Sequence, residues 1–212
     1  MIKKTVSIVI ISVVVLTGLH SQNLNDTLCF ERFSIGITPS ALFNVYNAAQ
    51  VNFNLGLTKK LKATAETGYV FNSLYSGKAW GYRLKYGIEW ILKARNNDAF
   101  IIGISGIYRQ VEETRFETVN HPERYREKVF FQRMKRMQGF QVSAGQIIKL
   151  NKKMRMSYLL GAGVGAINVN DVNSELDFTS RDGFLFFNNP GDYNFPVISF
   201  NVKYMYTLAE FR

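Results

Sequence analysis

Apolar and polar side chains alternate along most of this chain with a period of two. Tyr82, Leu84, Tyr86, Ile88, Trp90 and Leu92 share one face, with Arg83, Lys85, Gly87 and Glu89 between them and Ile91 the one exception. Ile198, Phe200, Val202, Tyr204, Tyr206 and Leu208 alternate in the same way with Ser199, Asn201, Lys203, Met205 and Thr207. The pattern recurs from Val51 to Thr58, from Ala63 to Phe71 and from Met154 to Val164. A helix would turn residues two apart towards nearly opposite sides, so this period belongs to strands with one apolar face. It predicts eight strands, over roughly 31–45, 50–58, 62–71, 80–92, 99–113, 129–149, 153–168 and 195–208.

The connections alternate as well. Those near 59–61, 93–98 and 150–152 are tight and polar, whereas those near 72–79, 114–128 and 169–194 are long; the first, near 46–49, is short. Short turns at one end and long loops at the other are the mark of an outer-membrane barrel, and an even strand number puts both termini at the short-turn end. The content of the two faces fixes the expected orientation. The polar face carries Gly36, Gly56, Gly68, Gly87, Gly103, Gly145, Gly161, Gly163 and Gly165, which suit a crowded interior better than a solvated surface. The apolar face carries the large aromatics. Tyr69, Phe71, Tyr82 and Tyr108 lie towards the long loops and Trp90, Tyr158 and Tyr206 towards the short turns, as at two lipid–water boundaries. The expected fold is therefore all-β, an eight-stranded antiparallel up-and-down transmembrane barrel with its apolar side outward. A closed ring also satisfies the backbone N–H and C=O groups that lipid leaves without partners.

Composition narrows the setting. Of 212 residues, 47% are hydrophobic, 14% aromatic and 20% charged, which excludes a disordered chain. One cysteine excludes an internal disulfide framework and a four-thiolate zinc site. Met1 to Ser21 reads as a secretory signal: Lys3 and Lys4, then an apolar run from Thr5 to Leu16, then Ser21 before Gln22. That run is shorter than the roughly 20 apolar residues of a membrane-spanning helix. The expected organisation is residues 1–21 as signal peptide and 22–212 as one barrel domain, with a mature charge of +8 once Lys3 and Lys4 are removed (24 Lys and Arg against 16 Asp and Glu).

The inward face of such a barrel holds charges of both signs. Glu66 and Glu89 lie among Lys62, Arg83, Lys85, Arg109 and Lys203, and a symmetric 72–79 hairpin puts Glu66 opposite Lys85. One reading is a paired polar network that fills a narrow core; the other is an ion path or a pair of catalytic carboxylates. Eight strands leave room for little beyond side chains, which favours the network.

Three features carry a resemblance. They are the signal segment ending at Ser21-Gln22; Gly81-Tyr82-Arg83-Leu84-Lys85-Tyr86-Gly87 followed after a turn by Ile102-Gly103-Ile104-Ser105-Gly106-Ile107-Tyr108-Arg109; and the terminal amphipathic strand Phe200 to Tyr206. With these the mature chain resembles the small eight-stranded outer-membrane proteins of Gram-negative bacteria, the OmpA-, OmpX- and OmpW-like barrels, and within them the uncharacterised barrel families. The resemblance implies a cell-envelope protein of the bacterial outer membrane, in contact with lipid and lipopolysaccharide and handled during assembly by the barrel-insertion machinery. It implies a non-enzymatic role in surface interaction, adhesion or envelope integrity. An OmpW-like narrow channel for small hydrophobic molecules is the alternative, and a lipid A-modifying enzyme the second.

Other chemistry finds little support. His121 is the one histidine after the signal, followed by Pro122 in an expected loop, and a histidine-based triad or lipid A chemistry would have to use it. Gly161-Ala162-Gly163-Val164-Gly165 lies inside a strand and cannot cradle phosphates at a helix start. No His, Cys, Asp and Glu cluster has metal-ligand spacing. No cofactor is expected, and Cys29 reads as a small boundary residue. From Arg115 to Arg136 basic and aromatic residues interleave, including Arg124, Arg126 and Lys128. Nucleic acid is an improbable partner at a cell surface; lipopolysaccharide phosphates are the functional reading and a solvated hairpin tip the bland one. The loop from Asp171 to Asn194 is acidic around Phe184-Leu185-Phe186-Phe187, so a contact between the two loops is expected.

Overall fold

The computed structural model describes residues 31–74, 78–94, 97–120, 126–172 and 191–210. These form eight strands: β1 (Glu31–Ile37), β2 (Tyr46–Gly56), β3 (Leu61–Ser73), β4 (Ala79–Ala94), β5 (Asp98–Asn120), β6 (Arg126–Lys149), β7 (Met154–Val172) and β8 (Gly191–Glu210). Each pairs antiparallel with the next, and β8 pairs with β1, so the sheet closes on itself as an up-and-down barrel in sequence order. The signal segment, Cys29, His121, Arg124 and Phe184 to Phe187 lie outside the described residues.

The ring is sheared. The register row that starts at Ile37 runs through Val51, Thr67, Leu84, Tyr108, Gln138, Ala166 and Asn194. Ile37 itself pairs with Tyr204, ten residues along β8 from Asn194, so the row closes with a shift of ten residues. Such a stagger tilts the strands by roughly 35–45° from the barrel axis and leaves an interior filled by side chains.

The two faces sort by chemistry as the alternation predicts. Leu84, Tyr86, Ile88, Trp90, Ile104, Leu160, Ile198 and Phe200 are outward and exposed, with Ile198 84% exposed. Glu31, Lys62, Glu66, Lys85, Glu89 and Lys203 are inward and buried, with Lys203 1% exposed. Glycine on the inner face has a steric reason at Gly163, where a Cβ would run into the Phe140 carbonyl and lie 2.6 Å from the Cα of Gln141. On the outer face Gly106 is covered by the ring of Tyr86.

The tight turns use short polar side chains as acceptors. Thr58 Oγ1 takes the N–H groups of Lys60 and Leu61 at 3.2 and 3.1 Å, and Asn151 Oδ1 those of Lys153 and Met154 at 2.9 and 2.8 Å.

Several boundaries differ from the expected ones. The first strand stops at Ile37, not near 45. Pro39 opens a 3-10 helix over Pro39–Phe43, and the Thr38 N–H donates to the carbonyl of Gln50 at 3.1 Å. Residues 46–49, expected as the connection, are the start of β2, because the Asn47-Ala48-Ala49 run lacks the large outward residues that mark the rest. The expected loop 114–128 is mostly strand, since β5 continues to Asn120 and β6 begins at Arg126. Pairing there goes on past the regular outward apolar run of β5, which ends at Tyr108, into a stretch where apolar residues are scattered, Val111 and Phe131 buried and Phe130 exposed. At the other long connection β7 reaches Val172, and β8 opens at Gly191, whose φ of +141° glycine alone adopts freely.

Candidate functional site

The lumen is the candidate site, and its turn end is filled by a chain of buried charges. In β3 and β4 the register sets Lys62 opposite Glu89 and Glu66 opposite Lys85. Alternation turns all four inward, where β1, β7 and β8 supply Glu31, Arg155 and Lys203. Arg155 reaches Glu31 at 2.9 Å and Lys62 reaches Glu31 at 3.2 Å. Lys62 lies 3.6 Å from Glu89, and Lys203 joins Glu89 at 3.3 Å to Glu66 at 2.6 Å. Lys85 closes the series on Glu66 at 3.8 Å. Each glutamate thus bridges two cations, and Gln50 donates to the remaining oxygen of Glu66. Buried charge is tolerated only with partners of this kind. Beside the chain, Ile91, Ala99, Ile101, Ile147, Leu159 and Met205 form a buried apolar cluster that fills the rest of this end.

A second polar centre lies towards the loop end, around Glu113. Its Oε1 accepts from Tyr46 Oη at 2.6 Å and lies 2.7 Å from Lys135 Nζ. Its Oε2 accepts from Arg115 Nε and Nη2 at 3.1 and 2.9 Å. Burial alone would raise the Glu113 carboxyl; the charge and hydrogen bond of Lys135, with Tyr46 and Arg115, outweigh it and hold the group below its ordinary value. Outward positions at this height are Gln110, Glu112 and Thr114, so the centre sits above the apolar exterior of β5. Nearby, Arg133 donates to both Asp171 oxygens at 2.5 and 2.8 Å, a contact between the basic and the acidic expected loops.

The six lumen residues named from sequence all face inward. Glu66, Lys85, Glu89 and Lys203 join one chain of ion pairs. Arg83 and Arg109 stand apart from it, opposite each other in the β4–β5 register. Arg109 lies over the ring of Tyr46, 4.6 Å from its centroid, and donates to Met137 Sδ at 3.3 Å. Of the residues named for lipopolysaccharide contact, Arg126 and Lys128 begin β6 opposite Asn120 and Thr118. Sequence reasoning missed Glu31, Arg155, Tyr46, Glu113 and Lys135. Arg155 and Glu113 lie on the inward parity of their strands, which was the available signal. Tyr46 fell in the mistaken connection.

The aromatic positions at the two edges of the apolar exterior carry polar partners. Tyr82 and Tyr108 stack with centroids 5.8 Å apart, and both hydroxyls donate to Gln110 Oε1 at 3.2 Å. At the other edge Tyr158 donates to Gln146, and Lys153 lies over the ring of Tyr206 at 5.8 Å. Among the described residues no group of three or more His, Cys, Asp and Glu side chains is placed to hold a metal ion. No family model, no curated protein and no solved structure matches this chain.

Proposed function

We propose that this chain is an exported, integral outer-membrane protein of the small eight-stranded class, similar to OmpA-, OmpX- and OmpW-like barrels. Its work is non-enzymatic: surface interaction or adhesion, and envelope integrity. One observation carries this reading, namely the pairing of an apolar exterior with an interior whose turn end is filled by charges spent on one another. Exposed Leu84, Ile88, Ile104, Leu160 and Phe200 would be costly in water as a continuous belt and are at home in hydrocarbon. Tyrosines with hydroxyl partners at the belt's edges fit the two lipid–water boundaries.

The interior favours an anchoring and presenting role over conduction, because the ion chain and the apolar cluster occupy the turn end of the lumen. The β5–β6 hairpin favours a surface role. On the β4 side pairing of β5 ends at Ala79 with Glu113, whereas β5 and β6 stay paired out to Asn120 with Arg126. Seven further residues at ~3.4 Å each raise this hairpin by roughly 24 Å along its own direction beyond β4.

The test is extraction and migration. The mature chain should fractionate with outer membranes, need detergent for extraction and shift on a gel between unheated and boiled samples. In planar bilayers it should give no stable conductance. A chain that stays in solution without detergent would remove the membrane reading, and steady conductance would replace the anchoring role with a channel.

A further inference from the structure

Above the ion chain, Arg83 and Arg109 face one another across the β4–β5 register, both turned into the lumen. They are not sealed as Lys203 and Glu66 are; each is only partly buried and keeps some accessible surface. Side chains opposed in an antiparallel pair start about 4.5–5.5 Å apart at Cβ, and like charges there repel. Among the described residues no carboxylate lies within ion-pairing distance of either guanidinium. Glu66 is already held by Lys203 and Lys85, and the chain below, with Glu210 on Arg155 at 3.6 Å, sets four cations against four carboxylates and has none to spare. Glu66 and Glu113 act on Arg83 and Arg109 only from a distance, so among the described residues neither guanidinium has a direct ion pair, and an enclosed pair of this kind attracts an anion.

The surroundings define what kind of anion. On one side Tyr46 and Val111 belong to a buried apolar cluster with Ala48 and Val70. On the other, Met137 clusters with Ile167 and Val169, and Ile107 packs against them. Arg109 touches both walls, through the Tyr46 ring and Met137 Sδ. Arg109 therefore stands between two apolar walls, with Arg83 opposite it in the register, and the walls end at the Glu113–Lys135 centre.

We propose that Arg83 and Arg109 form the head-group site of an amphiphilic anion, a carboxylate with an alkyl chain. The carboxylate bridges the two guanidinium groups, whose planar forks suit it. The chain lies between the Tyr46–Val111 and Met137–Ile167 walls. The lumen is then a cup, closed at the turn end by the ion chain. The site depends on the lumen's contents and not on what surrounds the barrel.

Calorimetric titration of the full mature chain, folded and held in a neutral amphipol, with octanoate, octanol, octylammonium and acetate tests this. Octanoate should saturate at one per barrel, octanol and acetate should bind at least tenfold more weakly, and octylammonium should not bind. Arg83→Gln and Arg109→Gln should each weaken octanoate at least tenfold while the heat-dependent gel shift persists. Should either variant fail to fold, the four-ligand series on the unaltered chain decides alone. Absence of saturable octanoate uptake, octanol or octylammonium binding as tight as octanoate, or acetate equal to octanoate would each overturn the proposal. So would folded variants that bind octanoate unchanged.

Discussion

Lys203 on β8 lies 2.6 Å from Glu66 on β3, two strands that are not neighbours in the sheet. The pair crosses the lumen, and Lys203 also holds Glu89 at 3.3 Å. One ammonium group therefore ties the last strand to the third and the fourth. Lys203→Met leaves two buried carboxylates short of a cation, and breaking a buried pair this way costs about 3–5 kcal/mol. The urea midpoint of the folded gel form should fall accordingly. Adding Glu66→Gln to Lys203→Met should recover part of the loss, because the two sites share one interaction.

Ile104 sits in the middle of the outward run of β5, from Phe100 to Tyr108, and is 55% exposed. In lipid, Ile104→Arg should cost roughly 2–4 kcal/mol, the penalty for a cation at the bilayer midplane. In a water-bathed barrel the same exchange would fall within about 0.5 kcal/mol. Urea unfolding from liposomes, with Lys152→Ala in an exposed turn as the control, separates the two.

The Glu113 centre should respond to acid. Its carboxyl is held below the ordinary 4.5 when folded, so the unfolded chain binds its proton first as pH falls. The stabilisation is complete above 4.5 and is lost as pH drops through the lower folded value. Protease protection of the β5–β6 hairpin should thus weaken below pH 4.5, and Glu113→Gln should weaken it at neutral pH and flatten the dependence.

Gly163 allows two strands to approach inside the lumen. Gly163→Ala forces its methyl against the Phe140 carbonyl and the Gln141 backbone. Overpacking of this kind costs about 1–3 kcal/mol. A lower thermal midpoint of the gel shift reads it directly.

Much of the frame was legible because strand period and sidedness are local properties. The 72–79 connection is symmetric enough that Glu66 falls opposite Lys85 in the register. Inward parity alone places Arg83, Glu89, Arg109 and Lys203. Which charges meet was not legible, since Lys203–Glu66 and Arg155–Glu31 depend on the ten-residue shear of the closed ring, a property of all eight registers together. Tyr46 was lost for a different reason: small residues after it hide the alternation, and Pro39 ends the first strand earlier than apolar content suggests. The upper reaches of β5 and β6 were lost because their apolar residues are scattered among charges there and give no regular alternation to read, while the two backbones stay paired.

The uneven height of the wall has a directional consequence. β2 and β3 end near Tyr46 and Ser73, while β5 and β6 run on to Asn120 and Arg126. The rim is low on one flank and tall on the other, like a collar cut on the slant. Beyond Glu113 the β4-facing edge of β5 has no strand beside it among the described residues, so it keeps the form of a sheet edge. An edge of that kind can template one more strand by backbone hydrogen bonding alone, whatever the side chains of the strand that joins it.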